Sequence, residues 1–570
     1  MYPTPPTTWS GRSRHAGSSG DDSSASTGSR IDSNDPFRVG GPGPLPVWPL
    51  ETGSPQQISA QLAERLVNLA ILHLERFSLG DIYHRITVVQ RYCKKHTPTP
   101  RDNTLLISLY PSSNSNWVIL LDEMISACAE IGFTGRIEMI DHRALDGMKS
   151  FPPEVSPQLA QDWIDIQQLV ARRLSSLNAD WKVVMLAKRG YWKDVAVNTV
   201  LIKVSLPSHT AAISTRDSIA LTIGDFMDRH NLQVEVARAD YLWGLFSTEF
   251  AGDPMATSLS SSFINSWNFM GLSVGRADGA GTGTIGGYLK FLDSRGHEQV
   301  LGLTCYHVIR ALPGGDLDPT IPTTGSVNIK IPCQSPSKTD LDQEVHLAMA
   351  KVPKVAGLAS PFYQEHLKKL VEQRDQRLRE ISSFNTKIGA CVATSGWRNT
   401  DLNPSFTSPS ILQDWALVHV KNGRMSNNFI ADIVEIHPTW KPESAWVTKI
   451  ARIPNTEAPV VKRGRTTGIT LGWISGLVPA RFRIEGYPGG LHHRGWGVFN
   501  PSTHFAKPGD SGSWVLDMSG RVVAIVIAGD SSDGSTLTLP MTELVKDVEI
   551  MVKLPAGAFQ VDMTIPATRP

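Results

Sequence analysis

The sequence predicts a multidomain chain: an all-β C-terminal half of barrel or sandwich type with one inserted helix, an α+β domain of ferredoxin-like pattern ahead of it, and a disordered N-terminus. Three observations carry this. Residues 1–55 are rich in Ser, Gly, Pro and Asp; they bury too little apolar surface to offset the entropy of ordering. Two β–α–β patterns of matching size follow. From about 269, short apolar runs alternate with Gly, Pro, Asn and Asp turns, the texture of many short strands.

The elements follow in order. "SAQLAERLVNLAILHLERFS" (59–78) has helical apolar spacing. "TLLISLYP" (104–111), "NWVILLDEMISACAEIGF" (116–133) and "RIEMIDHRA" (136–144) read as strand, helix and strand. "TVLIKVSLP" (199–207), "RDSIALTIGDFMDRHNL" (216–232) and "QVEVARAD" (233–240) repeat the pattern. Leu105 to Arg136 spans 31 positions and Leu201 to Gln233 spans 32, which predicts a split, ferredoxin-like binding or regulatory domain over 56–245, with "PQLAQDWIDIQQLVARRLSSL" (157–177) as a helix between the units. A linker over 246–268 leads into the β half, 269–555, and a tail over 556–570 ends the chain. Expected strands there include "GTIGGYLKFLD", "QVLGLTCYHVI", "SVNIKIP", "VHLAMAKV", "DWALVHV", "SAWVTKIA", "TGITLGWISGLV", "GWGVFN" and the hairpin "GSWVLDMSGRVVAIVIAG". One segment, 362–385, breaks the texture: Leu367, Leu370, Val371, Leu378 and Ile381 recur at helical spacings with charge between. It is an amphipathic helix inserted into the β domain, packing there or serving a protein partner.

Composition excludes several classes. In 570 residues, 41% are hydrophobic and 19% charged, as in ordinary globular protein. A net charge of +1 provides no global field for nucleic acid or anionic membrane. The five cysteines are odd in number, scattered and without a CxxC pair, which argues against a disulfide framework or zinc site. The first residues lack an apolar signal region, and no run approaches the ~20 apolar residues of a membrane span. An intracellular, reducing location, cytoplasmic or nuclear, is expected.

The chemistry converges on "KPGDSGSWV". A serine hydroxyl attacks a carbonyl only when a base takes its proton, and histidine suits that task. Of 16 histidines, His307 stands out in "LGLTCYHVIRAL", a strand running into a short turn or helix that restricts the imidazole. The base needs an acceptor for its other ring N–H. Asp414, just ahead of the apolar strand "WALVHV", is an acid at a buried strand edge and needs a specific partner. Asp340 and Asp342 are rivals in the polar, solvated-looking "SKTDLDQEV". The oxyanion needs fixed N–H donors; Gly509 can take backbone angles that aim its N–H beside that of Ser511.

The order His307, Asp414, Ser511, with "TCYHV", "DWAL" and "GDSGS", resembles the chymotrypsin-fold (trypsin-like) serine proteases. It is closer to intracellular, disulfide-free members than to secreted digestive ones: "GTGTIGGYL" (281–289) resembles the first strand pair before the histidine, and "VKRGRTTGITLGWISGL" (461–477) resembles the segment opening the second barrel in uncharacterised trypsin-like proteins of fungi. The resemblance covers roughly 269–552. It implies a double β-barrel with the three residues in the cleft between barrels: His307 as general base, Asp414 as its orienter, Ser511 as nucleophile, and the Gly509 and Ser511 N–H groups as oxyanion hole. It also implies a serine endopeptidase with no cofactor and a protein or peptide substrate. The pocket base would lie six residues before the serine, at Phe505, with the strand around Ala528 as another wall, which suits an uncharged side chain. Two departures stand out: Val308 rather than cysteine follows the histidine, and His307 and Asp414 are 107 residues apart, stretched by the inserted helix.

Other patterns read as decoys. "GLSVG" (271–275) fits a nucleophile elbow and "GTGTIG" (281–286) a dinucleotide fingerprint, but neither leads into a helix. His492, His493 and His504 lack a carboxylate or cysteine set and read as surface imidazoles rather than metal ligands. Lys507 reads as solvent-facing. The rival functions are a catalytically silent scaffold on a protease fold and an esterase using the same three side chains.

Overall fold

The computed structural model describes residues 30–31, 37–43, 45–46, 50–93, 97–110, 117–205, 209–238, 243–244, 267–279, 281–292, 296–310, 325–350, 361–400, 410–420, 425–429, 440, 442, 446–483, 493–500, 502, 504–530 and 534–561. The chain divides into two units, Met1–Leu145 and Asp146–Pro570.

In the first unit, six strands lie in the order Arg30–Ile31, Arg38–Gly41, Arg136–Asp141, Asn103–Leu109, Tyr83–Cys93, Leu50–Gly53. The central pair is parallel, Thr104 opposite Arg136, and a parallel pair needs a crossover. Helix Trp117–Glu130 supplies it. Helix Ala60–Arg76 starts where the Ser59 hydroxyl accepts from the Leu62 N–H at 3.1 Å. Leu66, Leu74, Leu120 and Met124 from these helices pack on Leu105, Ile107, Ile137 and Met139 of the sheet. Among these apolar groups Glu138 is fully buried, 3.0 Å from Arg38 and 2.9 Å from Arg91. The strands at 38–41 and 50–53 correct the expectation of disorder to residue 55: Val39 is core and Arg38 is bound to Glu138. Residues 1–29 lie outside the described residues.

The second β–α–β unit is built as expected, from Val197–Val204, helices His209–Thr222 and Gly224–His230, and Gln233–Arg238, with a parallel register of Thr199 on Gln233. Its sheet is a different one, however. Strand Trp181–Gly190, after helix Pro157–Ser176, pairs with Val197–Val204 on one edge and with Ala480–Phe482 on the other. A single ferredoxin-like domain over 56–245 is therefore corrected: each β–α–β unit pairs with whatever edge buries its own apolar strand faces, and the two edges belong to separate sheets.

The β half closes into two antiparallel barrels. In the first, the strand that bends at Gly286 (Thr282–Ile285, then Gly287–Leu292) joins Glu298–Thr304, Ala416–Val420, Lys387–Thr394, Ser326–Gln334 and Leu272–Arg276, which returns to Thr282–Ile285. In the second, Ala458–Gly464, Gly468–Ile474, His493–Phe499, Thr536–Pro540, Val522–Gly529 and Trp514–Asp517 form a closed ring. Closure removes free edges and encloses a side-chain core, here Val460, Ile474, Val498, Val515 and Val526 in the second barrel. This pair of barrels fits a chymotrypsin-like fold.

Several expectations are corrected. "VHLAMAKV" lies in helix Lys338–Ala350 as far as Ala350, not in a strand. It meets the inserted helix Pro361–Ser383 through Arg377 and Glu344 at 3.3 Å. "SAWVTKIA" forms single bridges at Trp446 and Ile450, not a ladder. The C-terminal boundary moves outward: Phe559 and Val561 are buried, and Gln560–Val561 pairs with Leu289 and Lys290. Most of the linker over 246–268 lies outside the described residues; Trp267–Phe269 is a strand on Met425–Asn427. Among the described residues no helix is long and apolar enough to cross a membrane.

Candidate active site

Strand Glu298–Thr304 ends at Cys305, and helix Tyr306–Arg310 begins at once. His307 on this turn is 2% exposed. Its ring Nδ1 is 2.6 Å from Asp414 Oδ2, and its backbone N–H donates to Asp414 Oδ1 at 3.1 Å. One carboxylate thus holds both the ring and the backbone of the same residue. Asp414 is fixed by its neighbour: the Trp415 N–H donates to Ser395 Oγ at 2.8 Å, and its indole N–H to Asp547 Oδ2 at 2.7 Å. Asp340, the rival, is not in a solvated turn. It is buried in helix Lys338–Ala350 and accepts from Arg465 Nε at 2.8 Å.

Ser511 lies on a loop pressed against that strand end. The Gly512 N–H and the Cys305 thiol share one acceptor, the Val526 carbonyl, at 2.9 and 3.3 Å. Gly512 has φ +94°, and a Cβ there would lie 2.2 Å from the Thr284 carbonyl and 2.7 Å from Thr304 Oγ1. Only glycine fits this approach. The Thr284 N–H donates to the Ser511 carbonyl at 2.8 Å. The Ser511 hydroxyl itself donates to the Ile527 carbonyl at 3.3 Å and makes no hydrogen bond to His307. Gly509 has φ +99°, and the Gly509 and Ser511 N–H groups donate to no acceptor among the described residues.

Asp510, between these amides, is fully buried and heavily paired. It accepts from the Thr466, Thr467 and Lys507 N–H groups at 2.8, 3.2 and 3.0 Å and from the Thr467 hydroxyl at 2.7 Å. Lys462 Nζ, also fully buried, stands 3.3 Å away and also donates to Thr467 Oγ1. Burial pulls the Lys462 ammonium below its ordinary value, and Asp510 works against that pull. The turn "KRGRTTG" therefore clamps "KPGDSG". Sequence reasoning did not single out these clamp residues; the one signal was a lysine inside the apolar run "PVVKRG".

Phe505 is fully buried, with the Lys462 ammonium over its ring at 5.8 Å. It packs with Val498 and Val515 in the core of the second barrel. Ala528 sits on strand Val522–Gly529 and is 6% exposed. His493 is fully buried against Phe482, not a surface imidazole; His492 lies outside the described residues. Ser273 and Thr282–Ile285 of the two decoys lie in strands. Ligand atoms of Cys305, His307 and Asp414 come within 4.8 Å of one another, but burial and the Asp414 charge push the thiol well above its usual range, which keeps it a neutral, poor metal ligand.

The Peptidase S3 family model, alphavirus core protein, matches residues 485–559. That span carries Ser511 and the last strands of the second barrel. No curated protein matches. Among solved structures, the chain is similar to a glutamic acid-specific serine protease described as using a histidine triad in substrate binding, at 11% identity, over 52% of this chain and 100% of that one, with a TM-score of 0.24. It is similar to the active form of a protease from M. tuberculosis at 12% identity, over 55% and 90%, with a TM-score of 0.21. It is also similar to a chymotrypsin from Cellulomonas bogoriensis at 17% identity, over 32% and 94%, with a TM-score of 0.19.

Proposed function

We propose that the chain is a serine endopeptidase that works through an acyl-enzyme on Ser511. The supporting observation is the double hold of Asp414 on His307, at 2.6 Å on the ring and 3.1 Å on the backbone. A carboxylate on Nδ1 keeps the proton there, leaves Nε2 as the base, and stabilises the imidazolium that forms. Ser511 leaves the Ile527 carbonyl to give its proton to His307; such hydrogen bonds often form only in the reacting complex. The two amides at Gly509 and Ser511, which donate to no acceptor among the described residues, receive the developing oxyanion. A peptide is the fitting substrate, because Trp243–Gly244 already lies antiparallel on Ala528 and Gly529 beside Ser511, the strand-addition mode in which an extended chain binds through its backbone.

A fluorophosphonate probe tests this. The wild-type protein is labelled at Ser511, and Ser511→Ala and His307→Ala abolish the label. A folded sample that does not label overturns the reading in favour of a silent scaffold. A labelled protein that turns over esters and no peptides makes it an esterase.

A further inference from the structure

Gly509 is held from several sides, and Arg465 stands behind each hold. The Thr466 hydroxyl donates to the carbonyl of Pro508, on the peptide plane that carries the Gly509 N–H. The Thr284 hydroxyl donates to the Gly509 carbonyl at 2.9 Å. Arg465 Nη1 donates to Thr466 Oγ1, and the Arg465 N–H to Thr284 Oγ1, each at 3.1 Å. A hydroxyl that accepts on one side turns its own hydrogen to the other, so Arg465 aims both hydroxyls at the loop. The guanidinium also lies against the Gly509 Cα, where a Cβ would run into Nη1.

A long side chain in a turn is ordinarily free to swing. That of Arg465 is 3% exposed, and its fork closes on Asp340. Nε stands 2.8 and 2.9 Å from the two carboxylate oxygens, and Nη2 also meets Oδ1. Paired contacts of this kind fix the plane of a guanidinium as well as its position, which leaves Nη1 directed at Thr466. Asp340 itself sits in the first turn of helix Lys338–Ala350, between barrel strands Ser326–Gln334 and Lys387–Thr394. The start of that helix is seated on the first barrel. Ser337, fully buried, accepts from the Thr282 hydroxyl at 2.7 Å and from the Asp340 N–H at 3.3 Å, and its own N–H donates to Ser273 Oγ at 3.0 Å.

We propose that Asp340 and Arg465 are positioning residues for the reaction at Ser511: helix Lys338–Ala350 sets the oxyanion donor of Gly509 through the Arg465 guanidinium. This rests on the reading of Ser511 as a nucleophile. Neither side chain touches a reacting atom. Asp340 fixes the guanidinium, the guanidinium orients Thr466 and Thr284, and these hold the peptide groups on either side of the Gly509 Cα. An oxyanion donor works by being aimed before charge develops, so a loosened Arg465 costs transition-state stabilisation and leaves substrate binding alone. The helical segment between the two barrel strands is thereby part of the catalytic support. It meets the inserted helix Pro361–Ser383 through Glu344 and Arg377, away from Asp340.

The test uses the full chain and reads turnover per competent site. The end point of fluorophosphonate labelling counts reactive Ser511, and hydrolysis of p-nitrophenyl acetate, which needs no peptide specificity, gives kcat and KM. Arg465→Lys keeps the charge opposite Asp340 and loses the fork. Its kcat per labelled site falls roughly 10- to 100-fold, with KM within about twofold and melting near wild type. Asp340→Asn moves kcat in the same direction, and Asp340→Glu, which returns a carboxylate to the guanidinium, recovers most of it. Full kcat per labelled site in Arg465→Lys, with only fewer sites or a lower melting temperature, makes the pair structural and overturns the proposal while sparing the endopeptidase reading. Loss of folding in every variant of the pair does the same. A raised KM at unchanged kcat puts the pair in substrate binding and overturns positioning. A folded wild type that does not label overturns the reading of Ser511 and this inference with it.

Discussion

The Thr466 hydroxyl donates a hydrogen bond to the Pro508 carbonyl at 2.7 Å. Across a trans peptide the C=O and N–H point opposite ways, so this bond sets where the Gly509 N–H points. Thr466 touches no reacting atom; under the proposed mechanism it positions an oxyanion donor through one peptide plane. Thr466→Val keeps the shape and loses the bond. Turnover of a peptide substrate should fall by about 10², the cost of one misdirected oxyanion donor, with KM and melting temperature little changed. Thr466→Ser should recover most of it. Equal losses in kcat and stability in both variants would make Thr466 a structural residue only.

Lys462 and Asp510 are both fully buried and 3.3 Å apart. Breaking such a pair from one side leaves a charge in the core at a cost of roughly 3–5 kcal/mol. Lys462→Met should therefore unfold at clearly lower denaturant than wild type. Adding Asp510→Asn removes the stranded charge and should restore part of the loss, a coupling of about 1–3 kcal/mol in a double-mutant cycle. Additive losses would show that the two side chains do not act as a pair.

Asp414→Asn keeps the size of the side chain and loses the charge on the His307 ring. The amide can present its N–H₂ to Nδ1 and favour the wrong tautomer, so turnover should drop by roughly 10⁴. Fluorophosphonate labelling should slow with it. Far-ultraviolet circular dichroism and melting should stay near wild type if the effect is on the base. Undiminished labelling would take Asp414 out of the mechanism.

The sequence made the barrels legible through short apolar runs and turns, because alternation along a strand reports burial locally. It made His307, Asp414 and Ser511 legible through local context, and the structure puts two of these in direct contact. It did not show which sheet each β–α–β unit would join, since edge pairing such as Val184 on Arg481 is a choice between distant partners. It also hid the clamp on Asp510. Lys462 lies in strand Ala458–Gly464, and its burial against Asp510 depends on the loop that carries Ser511, 48 residues on. Asp340 failed in the same way: its burial depends on Arg465, 125 residues on.

Glu138 gives the first unit a dependence on pH. Burial alone would raise its carboxyl, but the Arg38 and Arg91 charges and hydrogen bonds hold it below the ordinary 4.5. With the folded value below the unfolded one, the native state binds fewer protons, and stability rises with pH across that range. The contribution is complete above about pH 4.5 and is lost as pH falls through the folded value. Hydrogen exchange in the intact protein should therefore show strands Asn103–Leu109 and Arg136–Asp141 losing protection below that pH. Glu138→Gln should remove the dependence and cost roughly 3–5 kcal/mol in this sheet at neutral pH, because two guanidinium groups lose their buried counter-charge. Unchanged acid sensitivity in Glu138→Gln would assign it to other carboxylates.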